Sequence, residues 1–248
     1  MTYQGDIDPL VPLRDRITRY SEAEVSGFRA DFLANGFVRI PQFLPSALHR
    51  AITRECETIS STSGRNKQLT MKSTGDTPRR MRTVGQHILR EKSLFIPRIY
   101  ACEAVRGFLT AITGETVHRV PWPPEEYVLS NLFRDGDTHG WHWDDYSFAF
   151  VLYLKAPDVA QGGFLQLCGG GSWDKESPKV NETLLSGAIH THRCDAADAY
   201  LLNAQKYLHR VTPIARGGER LIVNMTWANG RDLAAEMTHE TNDVLFAS

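Results

Sequence analysis

"EEYVLSNLFRDGDTHGWHWDDYSFAFVLYL", from Glu125 to Leu154, sets two β-rich runs on either side of the turn-like "RDGD" and a ten-residue stretch dense in chemistry. Runs rich in Val, Leu, Tyr and Phe between turn residues read as strands. The inner stretch, "HGWHWDDYSF" (His139–Phe148), carries two histidines, two tryptophans and two adjacent aspartates. That is too many rings for a surface loop and too many ionisable groups for a plain core strand. It reads as a site built on a β-scaffold.

Further runs follow the same pattern: "GGFLQLC", "TLLSGAIHTHR", "DAYLLNA", "YLHRVTPI" and "RLIVNMTWA", punctuated by "APD", "GGGS" and "RGGE". Short strands with turn signals and no intervening helices predict a sandwich or barrel, and a jelly roll fits best. The first half reads helical. "SEAEVSGFRADFLANG" has a capping box, Ser21 with Glu24, and closes at Gly36. "SALHRAITRECETIS" starts from a serine cap at Ser46, and "SLFIPRIYACEAVRGFLTAITG" forms a helix started or kinked by Pro97 and stopped at Gly114. The predicted fold class is α+β: a double-stranded β-helix (jelly roll, cupin-like) with N-terminal helices buttressing one face. One domain is expected over 1–248, helical to about 117, jelly roll over about 118–230, then a C-terminal segment 231–248. Within the helical part, residues 61–90 read as a basic loop. From Arg65 to Arg82 there are six basic residues and one acidic residue, Asp76, which suits a solvated loop or a lid bringing an arginine to an anion.

Bulk properties exclude several classes. A formal net charge of -1 argues against nucleic-acid and anionic-membrane partners. No apolar run approaches the roughly 20 residues of a membrane span, and the polar start has no signal-peptide core. Cys56, Cys102, Cys168 and Cys194 are scattered without a C-x-x-C pair, which reads as reduced thiols in a cytoplasmic protein.

Alternation along a strand puts His142 and Asp144 on one face, with Trp143 and Asp145 pointing elsewhere. His209, late in the β-region, can be brought beside them by a jelly roll. Two histidines and one carboxylate form the ligand set of non-haem Fe(II) oxygenases, whereas catalytic zinc more often takes three histidines or H-E-x-x-H on a helix. Arg220 follows His209 on the strand "RLIVNMTW", where Arg220, Ile222, Asn224 and Thr226 share a face. A guanidinium inside a barrel is costly without an anion, and its fork suits a carboxylate. A structural ion pair is the plain alternative.

His142-x-Asp144, then His209, then Arg220 resembles the Fe(II)/2-oxoglutarate-dependent oxygenases across the whole β-half. The resemblance implies iron held by His142, Asp144 and His209, and 2-oxoglutarate held by Arg220. It also implies dioxygen as the second co-substrate, with release of succinate and carbon dioxide as an unactivated carbon is oxidised. More narrowly, "EEYVLSNLFRDGDTHGWHWDDYSFAFVLYL" and "NMTW" resemble the carrier-free radical halogenases of free lysine-type amino acids. Those have glycine where this chain has Asp144, so the likeness points to their hydroxylase relatives. It places Glu125 and Asp145 at a substrate's side-chain ammonium, His139 and Arg79 at its carboxylate, and Asn224 and Thr226 around its head. Glu125 shares a strand face with Tyr127, Leu129 and Asn131, so a pocket position is expected for it, and Tyr127 and Asn131 are expected beside the cofactor. Glu126 and Arg80 stay open as adjacent alternatives.

The expected function is thus hydroxylation of a free basic amino acid, L-lysine at C4 by resemblance. Ornithine, a peptidyl side chain or a lipid-like acid are other substrates, and a non-catalytic metal-binding jelly roll is the contrasting class. A homo-oligomer stays open. Trp141 and Trp143 read as packing. His190 and His192 share a face but lack a carboxylate and arginine pattern, and Gly169–Gly171 form no phosphate motif.

Overall fold

The structure is a computed structural model that describes residues 8–169 and 173–246. The polar start up to residue 7, and Gly170 and Gly171 of the glycine run, lie outside the described residues.

The chain opens with α1 (Val11–Thr18) and α2 (Glu22–Asn35). Ser21 caps α2: its Oγ accepts from the Glu24 N–H while its own N–H donates to the Glu24 carboxylate, and Gly36 closes the helix at φ 66°. Next come β1 (Phe37–Ile40) and α3 (Ser46–Ser63). The residue before α3 is Pro45 and no side chain caps it, so Ser46 is not the cap that its position suggests. β2 (Arg65–Leu69) and β3 (Arg79–Val84) lead to α4 (Gln86–Lys92). The single helix expected around Pro97 is two, α5 (Ile96–Tyr100) and α6 (Glu103–Thr113). Pro97 sits in the first turn of α5, where its missing N–H costs nothing.

The β-half contains β4 (His118–Arg119), β5 (Tyr127–Leu132), β6 (Thr138–His142), β7 (Phe148–Lys155), β8 (Leu165–Cys168), β9 (Ile189–His192), β10 (Ala199–Asn203), β11 (Leu208–Val211) and β12 (Arg220–Ala228). One helix, α7 (Val180–Ser186), interrupts it, taking the front of the run read as "TLLSGAIHTHR". The C-terminal segment folds as α8 (Glu240–Phe246).

All twelve strands join one sheet, in the order β1-β10-β7-β12-β5-β3-β6-β11-β8-β9, with β2 on β3 and β4 on β12. The pairings among the described strands are antiparallel throughout, and the sheet curls so that β5, β6, β7, β8, β10, β11 and β12 all face one cavity. This is the double-stranded β-helix. β12 decides how its two faces are used. Leu221, Val223, Met225 and Trp227 enter the main core with residues of α3, α5 and α6, while Arg220, Ile222, Asn224 and Thr226 line the cavity. The helices buttress the first face, where their apolar stripes are buried.

The basic stretch is corrected by the structure. Instead of a lid-like loop it forms the β2–β3 hairpin, and β3 lies inside the sheet between β5 and β6. Its many charges masked the strand pattern because β2 is an outer strand with an exposed face. Among the described residues no helix is long and apolar enough to cross a membrane, and all four cysteines are buried and free.

Candidate active site

β6 and β11 bring the two histidines opposite each other, in the register His209↔His142. Each ring is oriented from behind in the same way. His142 Nδ1 donates to the Gly140 carbonyl at 2.6 Å, and His209 Nδ1 donates to the Tyr207 carbonyl at 2.9 Å. That assignment leaves each Nε2 as the free lone pair, the orientation outer-shell carbonyls impose on metal-binding histidines. The two Nε2 atoms lie 3.6 and 3.7 Å from Asp144 Oδ1. Burial holds His142 well below the usual histidine range, so its contact with Asp144 is no ion pair. The three donor atoms lie within 4.8 Å of one another, and a single divalent ion could meet all of them.

Alternation within a strand is not what turns Asp144 towards the histidines. β6 ends at His142, and the Asp144 N–H is held by the Ala204 carbonyl at 3.1 Å. Gly140 matters for the same turn: a Cβ there would lie 2.6 Å from the Pro78 carbonyl oxygen. Its own N–H also donates to that oxygen, at 2.9 Å. A side chain at 140 would push β6 off β3 and tilt the carbonyl that orients His142.

Arg220 is 3% exposed and lines the same cavity. Its Nε donates to the Tyr153 hydroxyl at 3.1 Å, and its guanidinium carbon lies 4.8 Å from that ring's centre. Among the described residues no carboxylate forms an ion pair with it. A buried, unneutralised guanidinium is costly by itself and fits an anionic ligand. His139 and Asn224 also line the cavity, and their Nε2 and Oδ1 atoms are buried without a partner. His139 stacks on His142 with ring centres 3.8 Å apart. Each unmade buried hydrogen bond costs about 1–3 kcal/mol unless a ligand completes it.

At the other end Glu125, Asp145 and Thr226 are on the cavity wall. Burial, reinforced by the Asp145 and Asp144 charges, pushes Glu125 up to about 9. It faces His239 Nδ1 at 3.0 Å. Burial lowers His239, so at neutral pH a protonated Glu125 meets a neutral imidazole. Asp145 is raised by burial to about 6, held down by the ammonium of Lys175 at 2.5 Å.

Three residues need correction. Tyr127 and Asn131 do not approach the cavity. Tyr127 packs in the helix-side core with its hydroxyl accepting from Gln86, and Asn131 donates to Glu219. The phase differs from simple alternation because Glu125 belongs to a 3₁₀ turn (Pro123–Glu125) ahead of β5. Strand alternation therefore does not run through it, and Val128 and Ser130 are the inward residues. Arg79 is fully buried but is not on the cavity wall. Its guanidinium turns into its own hairpin, to Met71 Sδ at 3.0 Å and Thr74 Oγ1 at 3.1 Å. The adjacent alternatives fall away: Glu126 pairs with Arg119, and the half-exposed Arg80 pairs with Asp137.

Trp141 and Trp143 pack with Leu208 and Cys168. His190 and His192 belong to neither metal-competent group among the described residues. Sequence reasoning missed Thr241, Asn242, Leu245 and Phe246 of α8, which complete the wall, and Lys175 and His239, which hold Asp145 and Glu125 from outside it. No periodicity flags them, since they meet the cavity only through long-range packing.

The sequence matches the family described as Halogenase D over residues 20–247. No curated protein matches it. Solved structures share the fold. One is the epimerase SnoN from nogalamycin biosynthesis, solved with Fe3+, alpha ketoglutarate and nogalamycin RO; its TM-score is 0.65 at 13% identity, covering 84% of this chain and 85% of that one. Another is AviO1 from Streptomyces viridochromogenes Tue57, with TM-score 0.63 at 16% identity over 89% and 100%. A third is a Pseudomonas putida prolyl-4-hydroxylase, with TM-score 0.56 at 16% identity over 83% and 98%.

Proposed function

The chain belongs to the halogenase D family, and from that premise we propose that it is an iron(II)- and 2-oxoglutarate-dependent hydroxylase of a free basic amino acid, L-lysine at C4. The observation that carries hydroxylation over halogenation is the Asp144 carboxylate, standing 3.6 and 3.7 Å from the two histidine Nε2 atoms. It completes a two-histidine, one-carboxylate set and fills the position that a halide would need.

The residues fit the groups they would hold. His142, Asp144 and His209 offer the donors iron(II) takes, and Arg220, which pairs with no carboxylate among the described residues, offers its fork to the distal carboxylate of 2-oxoglutarate. Bound there, the pair supplies oxidative activation of dioxygen with release of succinate and carbon dioxide. The chain's other contribution is to position the substrate. Glu125 and Asp145 receive the side-chain ammonium. His139 and Asn224, whose Nε2 and Oδ1 atoms lack partners among the described residues, and Thr226 receive the amino-acid head. Arg79, in register with His139, supplies positive potential from behind that end without touching it. A chain anchored at both ends presents its middle to the metal, which favours oxidation at C4.

The test compares succinate release with lysine, ornithine and norleucine, and weighs the product. Lysine should be the best of the three and gain one oxygen atom. A chlorinated product, or succinate release indifferent to lysine, overturns the assignment. A second expectation concerns the third ligand. Asp144→Gly should remove most hydroxylation and let chloride reach the metal, read as a chloride-dependent change in the metal's absorption. A variant that hydroxylates as well as the parent shows that Asp144 is not a ligand.

A further inference from the structure

Asp145 already has a cation. Lys175, in the segment between β8 and α7, donates to Asp145 Oδ1 at 2.5 Å, to the Thr238 carbonyl at 2.8 Å, to Thr238 Oγ1 at 2.9 Å and to Glu240 Oε2 at 3.2 Å. Three N–H donors thus serve four acceptors, so the ammonium has no capacity left over. Its Nζ also sits 4.8 Å from the centre of the Trp173 ring. Lys175 does not line the cavity, whereas Asp145 does, with a side chain only 6% exposed. The lysine therefore holds the carboxylate from outside the wall that a substrate would reach from inside. No other side chain among the described residues pairs with the Asp145 carboxylate. Glu125 is likewise satisfied, by His239 of the same C-terminal segment.

We propose that Lys175 is a specificity-determining residue: an internal ammonium that competes with the substrate's ammonium for Asp145. This rests on the reading of Glu125 and Asp145 as the ammonium-binding end. The consequence differs from that of two bare carboxylates. An ammonium-free analogue leaves both acids with their internal partners, so it escapes much of the penalty of stranding buried charges. A cationic substrate must displace Lys175 from Asp145, and part of its binding energy is lost in the exchange. Lys175 thereby lowers the lysine-to-norleucine ratio from the value the two acids alone would produce.

Lys175→Met keeps most of the side chain's length and removes its charge. It should lower the KM for lysine by roughly three- to ten-fold, the size of one partly exposed ion pair, and leave that for norleucine unchanged or raised, because Asp145 then has no internal ammonium. An unchanged or raised KM for lysine, or an equal shift for both substrates, overturns the proposal. Glu240→Gln loosens Lys175 from the C-terminal segment without touching Asp145, and should keep the parent's ratio. Should Lys175→Met not fold, the parent decides. Lysine, but not norleucine, should change the emission that Trp173→Phe removes, and absence of that lysine-specific change is equally fatal. Failure of the underlying reading looks different: the parent itself would then not distinguish lysine from norleucine.

Discussion

His209→Ala and His142→Ala should each abolish lysine-dependent succinate release and weaken iron binding by more than about 100-fold, the upper end of what losing even an outer-shell partner costs. Each histidine offers one of three donor atoms that lie within 4.8 Å of one another, and its ring is already aimed by a backbone carbonyl behind it. Among the described residues no third imidazole joins the group of His142, Asp144 and His209. His139 is the nearest, stacked on His142, but its Nε2 belongs to the other end of the cavity's polar set in the proposed reading. The measurement is twofold. Iron should raise the melting temperature of the parent, because a ligand bound only by the folded state stabilises it by mass action, and should not do so for either variant. Circular dichroism of the metal-free variants should match that of the parent. A variant that keeps both iron-linked stabilisation and turnover rules out the ligand assignment.

Arg220→Ala should leave iron binding intact and raise the 2-oxoglutarate requirement. Removing one member of a buried charge-assisted pair costs about 2–5 kcal/mol, equivalent to tens to thousands of fold in affinity. Arg220→Lys should recover only part of it, since an ammonium cannot reproduce the two-pronged contact. The structure adds an expectation about the free protein. The guanidinium is 3% exposed and among the described residues has the Tyr153 hydroxyl as its one hydrogen-bond partner, so its loss removes a desolvated charge rather than an ion pair. Arg220→Ala should therefore melt no lower than the parent without 2-oxoglutarate, and lower with it. Succinate release against 2-oxoglutarate concentration, with paired melting curves, checks both statements. An unchanged 2-oxoglutarate dependence assigns the co-substrate to another residue.

What was legible in the sequence follows from local period. β12 is nine residues long, buried on both faces, and its alternation separates Arg220, Ile222, Asn224 and Thr226 from Leu221, Val223, Met225 and Trp227 without reference to anything distant. The cap at Ser21 and the stop at Gly114 are equally local. Alternation misleads where an element ends unannounced. β6 stops at His142, so Asp144 owes its direction to the Ala204 carbonyl. β5 starts after Glu125, so Tyr127 and Asn131 fall on the core face. The hairpin through Arg79 was hidden because its pattern is written in charges, and it becomes a sheet strand only by pairing with β5 and β6.

The sequence by itself determined the curled sheet, its helical backing and the donor types of the site, because period, turns and ligand chemistry are carried by the residues in place. Tertiary structure alone decided how the acidic end is occupied. Lys175 reaches Asp145 and His239 reaches Glu125 across 30 and 114 residues of chain, and neither residue carries a local signal of that meeting. A side chain's partner at such a distance depends on how whole elements pack, which no spacing along the chain records.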